Sequence, residues 1–183
     1  MKTAAIILSL AILLSCGVGI PGTHAATPDL SKIDIAAINS MKLRTDGMAF
    51  FMDVDLLLKN DGDKDIKLKD INFEVKFKGK DGVVNFGTAP VDELIIPGKA
   101  VGAPNPGTLT TTLQVKIGPK GEKTLERMVK LFNIVADPAS PLIMLLEGAG
   151  EVGLKVEKGW IYQKGIKADL EFSPTIQREV LFK

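Results

Sequence analysis

Hydrophobic and polar residues alternate along most of this chain. Met48, Phe50, Met52, Val54, Leu56 and Leu58 alternate with a second set that includes Asp53, Asp55 and Lys59. Side chains of a strand point to opposite faces in turn, so this pattern predicts a long strand with one buried face. Asn60-Asp61-Gly62-Asp63 follows as a turn. Ile71, Phe73, Val75 and Phe77 alternate with Asn72, Glu74, Lys76 and Lys78 in a second strand, closed by a turn at Asp81-Gly82. Val84-Asn85-Phe86 and Leu94-Ile95-Ile96 read as two shorter strands. Pro97 and the stretch Gly102 to Gly107, with two prolines, read as loop. Leu109, Thr111, Leu113, Val115 and Ile117 give another half-buried strand.

The period then changes once. Between Glu122 and Ala136, residues Leu125, Met128, Val129, Phe132 and Val135 recur at helical spacing. Glu122 and Glu126 lie early, where the helix dipole favours acids. Asp137-Pro138 ends the helix, because the residue before proline avoids helical dihedrals. The face Leu125-Met128-Val129-Phe132 is expected in the core. Seated loosely, such a helix would cover an apolar cavity, with Met128 and Met144 as an adaptable lining. Beyond it, Met144 and Leu146, then Val152, Leu154 and Val156, read as one strand interrupted at Gly148 and Gly150 by a bulge or bend. Ile166, Ala168, Leu170 and Phe172 form the last long strand. About seven to nine strands with close-spaced turns and one helix, over about 121–136, predict a mainly β, antiparallel β-sandwich with the helix over one end or an open face.

Composition narrows the chemistry. The only cysteine is Cys16 and the only histidine is His24, so residues 26–183 contain neither. Catalysis there would rest on carboxylate, Lys or Ser/Thr groups, and stability on packing without disulfides. Lys and Arg number 23 against 22 Asp and Glu, interspersed, for a net charge of +1. No basic patch interleaved with aromatics is present, so nucleic acid is not an expected partner.

The N-terminus reads as a secretory leader. Met1-Lys2 is a short basic start and Ala4 to Ser15 an apolar run. It is short of the roughly 20 apolar residues of a spanning helix. Leu13-Leu14-Ser15-Cys16 resembles a bacterial lipobox, although Leu14 is larger than the pattern prefers. In that reading residues 1–15 are a signal peptide, and Cys16 becomes the mature N-terminus carrying S-diacylglycerol and an N-acyl chain such as palmitate. Residues 16–31 are then a flexible tether and 32–183 the domain. Gly17 lacks the Asp that favours inner-membrane retention in enteric-type bacteria, which leaves the outer membrane as a destination. The alternative is cleavage after Thr23-His24-Ala25, which releases a soluble periplasmic or secreted protein.

The order of segments resembles the late embryogenesis abundant type 2 family, also called the water stress and hypersensitive response domain. The carrying residues are Ile33-Asp34-Ile35 and Leu56-Leu57-Leu58-Lys59-Asn60. Asn60-Asp61-Gly62 stands where the family more usually has Asn-Pro-Asn. The match continues through Ile71 to Phe77, Gly87, Leu94-Ile95-Ile96-Pro97-Gly98, and the closing strands from Gly159 to Phe172. It spans roughly residues 33 to 172, nearly the whole domain. The resemblance implies an Ig- or fibronectin III-like sandwich with a helix. It also implies no enzymatic activity, no catalytic residue, and a role in stress protection or in binding proteins or lipids.

Several clusters invite a functional reading beside a plainer one. Asp61, Asp63 and Asp65 around Gly62 carry calcium-type oxygens, but the EF-hand spacing and its closing Glu are missing, and a tight turn uses the same residues. Gly79-Lys80-Asp81-Gly82 and Gly118-Pro119-Lys120-Gly121 do not match a phosphate loop and read as ordinary loops. Asp92-Glu93 and Glu147/Glu151 could be posed as glycosidase carboxylates, but strand-face charges explain them as well. Trp160 and Tyr162, on one face beside Gly159, are the candidate interaction surface; packing over the sandwich edge is the plainer role. No catalytic residue, cofactor or metal site is expected. The expectation is a non-enzymatic envelope lipoprotein, joined to a membrane through Cys16, that binds or shields an envelope protein or lipid. The alternatives are a carrier of lipid or another apolar ligand between sheet and helix, and last a carboxylate-dependent hydrolase.

Overall fold

The computed structural model describes residues 28–80, 82–137, 141–162 and 168–176. Cys16, His24, the leader, both cleavage positions, and also Asp81, Pro138 and Ile166, lie outside the described residues. Nine strands and one helix follow in order. They are β1 (Ile33–Asp46), β2 (Ala49–Asn60), β3 (Ile66–Gly79), β4 (Gly82–Ile96), β5 (Gly107–Pro119), α1 (Glu122–Ala136), β6 (Leu142–Val156), β7 (Gly159–Tyr162), β8 (Ala168–Phe172) and β9 (Thr175–Ile176). A single 3-10 turn, Leu30–Lys32, leads into β1.

All strand pairings are antiparallel. One layer has the order β1-β2-β5. The other has β4-β3-β6, with β7, β8 and β9 sharing the far edge of β6. A single residue pair, Thr88 with Lys116, joins β4 to β5, so hydrogen bonding runs continuously round one side of a sandwich. Gly87 allows that join: a Cβ there would sit 2.3 Å from the carbonyl oxygen of Lys116. Three strands facing four or more, with the helix inserted between β5 and β6, make an Ig/fibronectin III-like sandwich. Val54, Leu56, Val115, Val75, Phe77, Phe86 and Met144, drawn from both layers, are wholly or almost wholly buried between them. That burial is the main favourable term holding the layers together.

Two strands differ from the sequence reading. β1 extends over 14 residues, where only the family resemblance offered a segment, Ile33 to Ile35. Register shifts between Ile35 and Ala37 and between Ile38 and Ser40 space its buried residues irregularly. β4 is one strand of 15 residues rather than two short ones. Pro90 interrupts the hydrophobic pattern without breaking the strand, and it is exposed. The irregularity expected at Gly148 and Gly150 lies on the opposing strand. β3 shifts register between Lys69 and Glu74, and Asp70 there has φ 52°. The two glycines make room for the bulge: a Cβ on Gly150 would approach Ile71 Cγ1 to 2.1 Å, and one on Gly148 would meet the Phe73 ring at 3.0 Å.

The helix falls where expected but rolls differently. Thr124, Met128 and Leu131 are its buried residues. Of the face expected in the core, only Met128 is buried. Leu125, Val129 and Phe132 are 50%, 57% and 42% exposed. The cause lies at the junction with β5, where Gly118 (φ 147°) brings Thr124 against the chain. Met144 does not join the helix lining; it is fully buried in the sandwich, and Met41 and Met52 lie under the helix with Met128.

Candidate interaction surface

Trp160 and Tyr162 lie on β7, which pairs with the last residues of β6 through Lys155–Trp160 and Gly153–Tyr162. Both are half-buried. Gly153 has no side chain because the Tyr162 ring lies over it: a Cβ there would be 2.8 Å from Tyr162 Cε1. Lys67 Nζ sits 4.6 Å from the centre of the Trp160 ring, within cation–π range. The same ammonium donates to Glu93 Oε2 at 3.1 Å. One row therefore crosses the outer face of the second layer: Glu93, Lys67, then the two aromatics. The structure brings both candidate residues together and gives each a packing role. Each keeps a minor part of its surface accessible.

The rest of that face is a ladder of mixed charge. Lys76 Nζ donates to Glu147 Oε2 at 2.6 Å and lies 3.2 Å from Glu74 Oε2. These carboxylates, Glu147 foremost, raise the Lys76 pKa above its ordinary value. Lys69 is likewise raised by Asp70 and then Glu151. Glu93 serves the Lys67 ammonium and Glu147 that of Lys76, and Glu147 lies in register between Glu74 and Glu171 of the neighbouring strands. Exposed ion pairs of this kind add little stability. Their chemical role is a hydrated face of both signs.

The Asp61-Asp63-Asp65 cluster is a turn organised by Asn60. The Asn60 side chain donates from Nδ2 to the Lys64 carbonyl at 2.9 Å and accepts at Oδ1 from the Gly62 N–H at 2.9 Å. Asp65 points elsewhere, accepting from Lys155 Nζ at 2.8 Å and from the Gly98 N–H at 2.9 Å. No group of three or more metal-ligating side chains occurs among the described residues. The burial of Asn60, absent from sequence reasoning as anything but a turn residue, is what pins this end of the sandwich.

Asp65 at this turn, and Asp55 further back in β2, are both held below the ordinary carboxylate range. Lys155, then the Gly98 amide, hold the Asp65 pKa below its ordinary value of 3.8. The hydroxyls of Ser40 and Thr112 do the same for Asp55. A lowered folded-state pKa contributes stability that is present above the unfolded value and is lost as pH falls through the folded one. The urea midpoint is therefore expected to hold steady from about pH 7 to pH 5 and to fall below about pH 4. Asp65→Asn and Asp55→Asn should each flatten that acid slope. A slope unchanged in the double variant would show that other carboxylates carry it.

Apolar space lies under the helix and in the mid-sandwich. The first space is lined wholly by apolar side chains, including Met41, Leu43, Met52, Phe77, Met128 and Phe132, and measures about 20 Å³. The second, between Ile35, Leu58, Phe73, Leu146 and Phe172, measures about 10 Å³. A single water needs about 10–15 Å³, so neither holds a ligand as it stands. No helix among the described residues is long and apolar enough to cross a membrane.

The chain matches no protein-family model and no curated protein. Among solved structures it is similar to a crystal structure of a protein from Archaeoglobus fulgidus, with 10% identity and a TM-score of 0.32, over 77% of this chain and 98% of that one. A likeness at that level carries no argument about function.

Proposed function

We propose that this is a non-enzymatic protein of the cell envelope, lipid-anchored through Cys16, whose late embryogenesis type 2-like sandwich binds or shields other envelope components, including under water or osmotic stress. The observation that carries contact over carriage is the filled interior: spaces of about 20 and 10 Å³ against the roughly 300–1,000 Å³ of ordinary ligand pockets. The chain enters the sandwich beside the Asn60 turn, where the Asp61 N–H donates to the Lys32 carbonyl at 2.9 Å. A tether over 16–31 would leave from that end. The turn into β7 at Gly159 lies at the same end, because β6 runs toward it from the helix. Trp160 and Tyr162 would then face components close to the anchoring membrane, where amphipathic aromatics suit a surface that is part apolar and part wet. Helix α1 would point away from it.

The test is the intact mass of the mature protein taken from its native membrane, beside Cys16→Ala. Cleavage before Cys16 plus acyl chains, lost in the variant, is expected. A mass beginning at Ala26 without lipid would sink the anchored reading.

The apolar-ligand carrier stands as a second reading because the space under α1 has a wholly apolar lining. It requires α1 to lift. Stoichiometric lipid in an organic extract of the purified chain would favour it; contact predicts none.

A further inference from the structure

A groove runs between α1 and the start of β4. It measures about 350 Å³ and is lined by Gly82, Val83 and Val84 of the strand and by Lys130, Asn133 and Ile134 of the helix. That volume is at the low end of the roughly 300–1,000 Å³ of ordinary ligand sites. The helix wall is held in place. Ile134 seats on β3 at Gly79, where a Cβ would lie 2.7 Å from Ile134 Cγ2. The strand wall is an edge. β4 pairs with β3 along its length, but among the described residues it meets β5 only at Thr88–Lys116. Past Lys116, β5 continues along β2 alone, through Gly118–Phe50 and Pro119–Ala49. Residues 82–86 therefore have one side unpaired.

An edge strand turns a row of N–H and C=O groups outward, and what satisfies such a row is another extended backbone. Proteins blunt their edges with proline or charge. Gly82-Val83-Val84-Asn85-Phe86 has neither, and its valines favour extended structure. The side chains nearby specify what the added backbone should carry. Val84 pairs with the wholly buried Phe77 and so shares its inward face, lining the groove with Ile134. Val83, 52% exposed, pairs with Lys78. Among the described residues lining the groove, Lys130 alone is charged. Neither Lys130 nor Lys78 forms an ion pair among the described residues.

We propose that this groove binds a short extended segment of a partner protein, which adds as a strand to β4 at residues 82–86 and alternates apolar with acidic side chains. The apolar side chains pack on Val84 and Ile134. The carboxylates between them are matched to Lys130 and Lys78, and the Asn133 amide is a further donor. Five residues of edge span about 17 Å, which sets the length of the segment. An acyl chain in the groove would leave the backbone row unpaired. A second copy offering the same edge would bring like charges, Lys130 against Lys130, to one seam. The site lies at the opposite end of the second layer from Trp160 and Tyr162, since Lys78 pairs with Ile143 near the start of β6 and β7 pairs with its last residues. It requires neither those aromatics nor a lipid on Cys16.

The probe is a capped, fluorescein-labelled hexapeptide, Val-Glu-Val-Glu-Val-Glu, titrated with the full chain and read by anisotropy. Saturable binding is expected, and the same peptide with Lys for Glu should bind about ten-fold more weakly or worse. Two forms of the acidic peptide, N-methylated at one or the other alternate set of amides, separate strand addition from charge attraction. Methyls on the set that faces β4 should abolish binding, and methyls on the other set should leave it. Lys130→Glu, at an exposed position, should weaken the acidic peptide about ten-fold. Saturation should slow amide exchange at residues 82–86 and leave β7 unchanged. No binding of the acidic peptide, equal binding of the basic one, the same result for both methylated forms, or slowing at β7 in place of 82–86 would each overturn the proposal. A dimer on sedimentation without peptide, with exchange at 82–86 slowed as the chain is concentrated, would overturn it in favour of a second copy.

Discussion

Phe77→Ala is expected to destabilise the protein by about 3–5 kcal/mol. Phe77 is fully buried and meets Phe86 edge to face, with ring centres 5.2 Å apart and planes at 84°. It also borders the space beneath α1, so truncation would merge the lost ring with a void already present. Of the cost, about 0.5–1.5 kcal/mol belongs to the ring pair itself; the rest is lost transfer energy and cavity. A domain of this size has only about 5–15 kcal/mol in hand, so the variant should fold but melt roughly ten degrees lower. The check is urea unfolding of the full chain at neutral pH. A loss under about 1 kcal/mol would mean that Met41, Met52 and Met128 collapse into the gap, as flexible thioethers can. The same variant probes the carrier reading: an enlarged apolar space under α1 should admit a small apolar solute such as benzene, which the native chain should exclude.

Alternation was legible wherever a strand keeps one unbroken buried face. β2, the Ile71–Phe77 part of β3, and β5 are of this kind, and their inward residues match, except that Met48 falls in the turn before β2 and is 77% exposed. Sequence failed where the backbone inserts a residue. The bulge at Asp70 shifts the phase between Leu68 and Ile71, so alternation picks up β3 only from Ile71 although the strand begins at Ile66. The two register shifts in β1 place Ile35, Ile38 and Met41 three apart, a spacing that belongs to neither period. α1 was visible in type and length, yet its roll was not. Its apolar arc is wider than the part the sandwich covers, and only the approach of Thr124 to Gly118 decides which part that is. The candidate surface was half legible. Alternation puts Trp160 and Tyr162 on one face, whereas Lys67 and Gly153, which hold them, come from strands remote in sequence.

Asn60→Ala should cost about 2–4 kcal/mol, unusually much for a residue at the end of a strand. The side chain is fully buried and serves the Lys64 carbonyl and the Gly62 N–H, with a longer 3.5 Å contact to the Ile96 carbonyl. Alanine leaves the first two without partners, each at about 1–3 kcal/mol when water cannot enter. The surroundings allow little adjustment. The Lys99 N–H donates to the Gly62 carbonyl at 2.7 Å, and a Cβ on Gly98 would lie 2.6 Å from the Lys64 backbone, so the turn and the loop after β4 are already in contact. Asn60→Asp separates hydrogen bonding from space filling. Its carboxylate keeps the acceptor for Gly62 but turns a charged oxygen toward the Lys64 carbonyl. Burial and that repulsion raise its pKa, so the damage should be greatest at neutral pH and lessen in acid, where a protonated carboxyl can donate again. That trend runs opposite to the acid loss expected from Asp55 and Asp65, and urea midpoints of the two variants at pH 7 and pH 5 would display it. Equal losses at both pH values would mean that Asn60 acts only by filling space. The consequence reaches the chain's entry into the sandwich: the N–H of Asp61, next in the chain, donates to the Lys32 carbonyl just before β1, so a loosened Asn60 turn frees the segment that leads into β1.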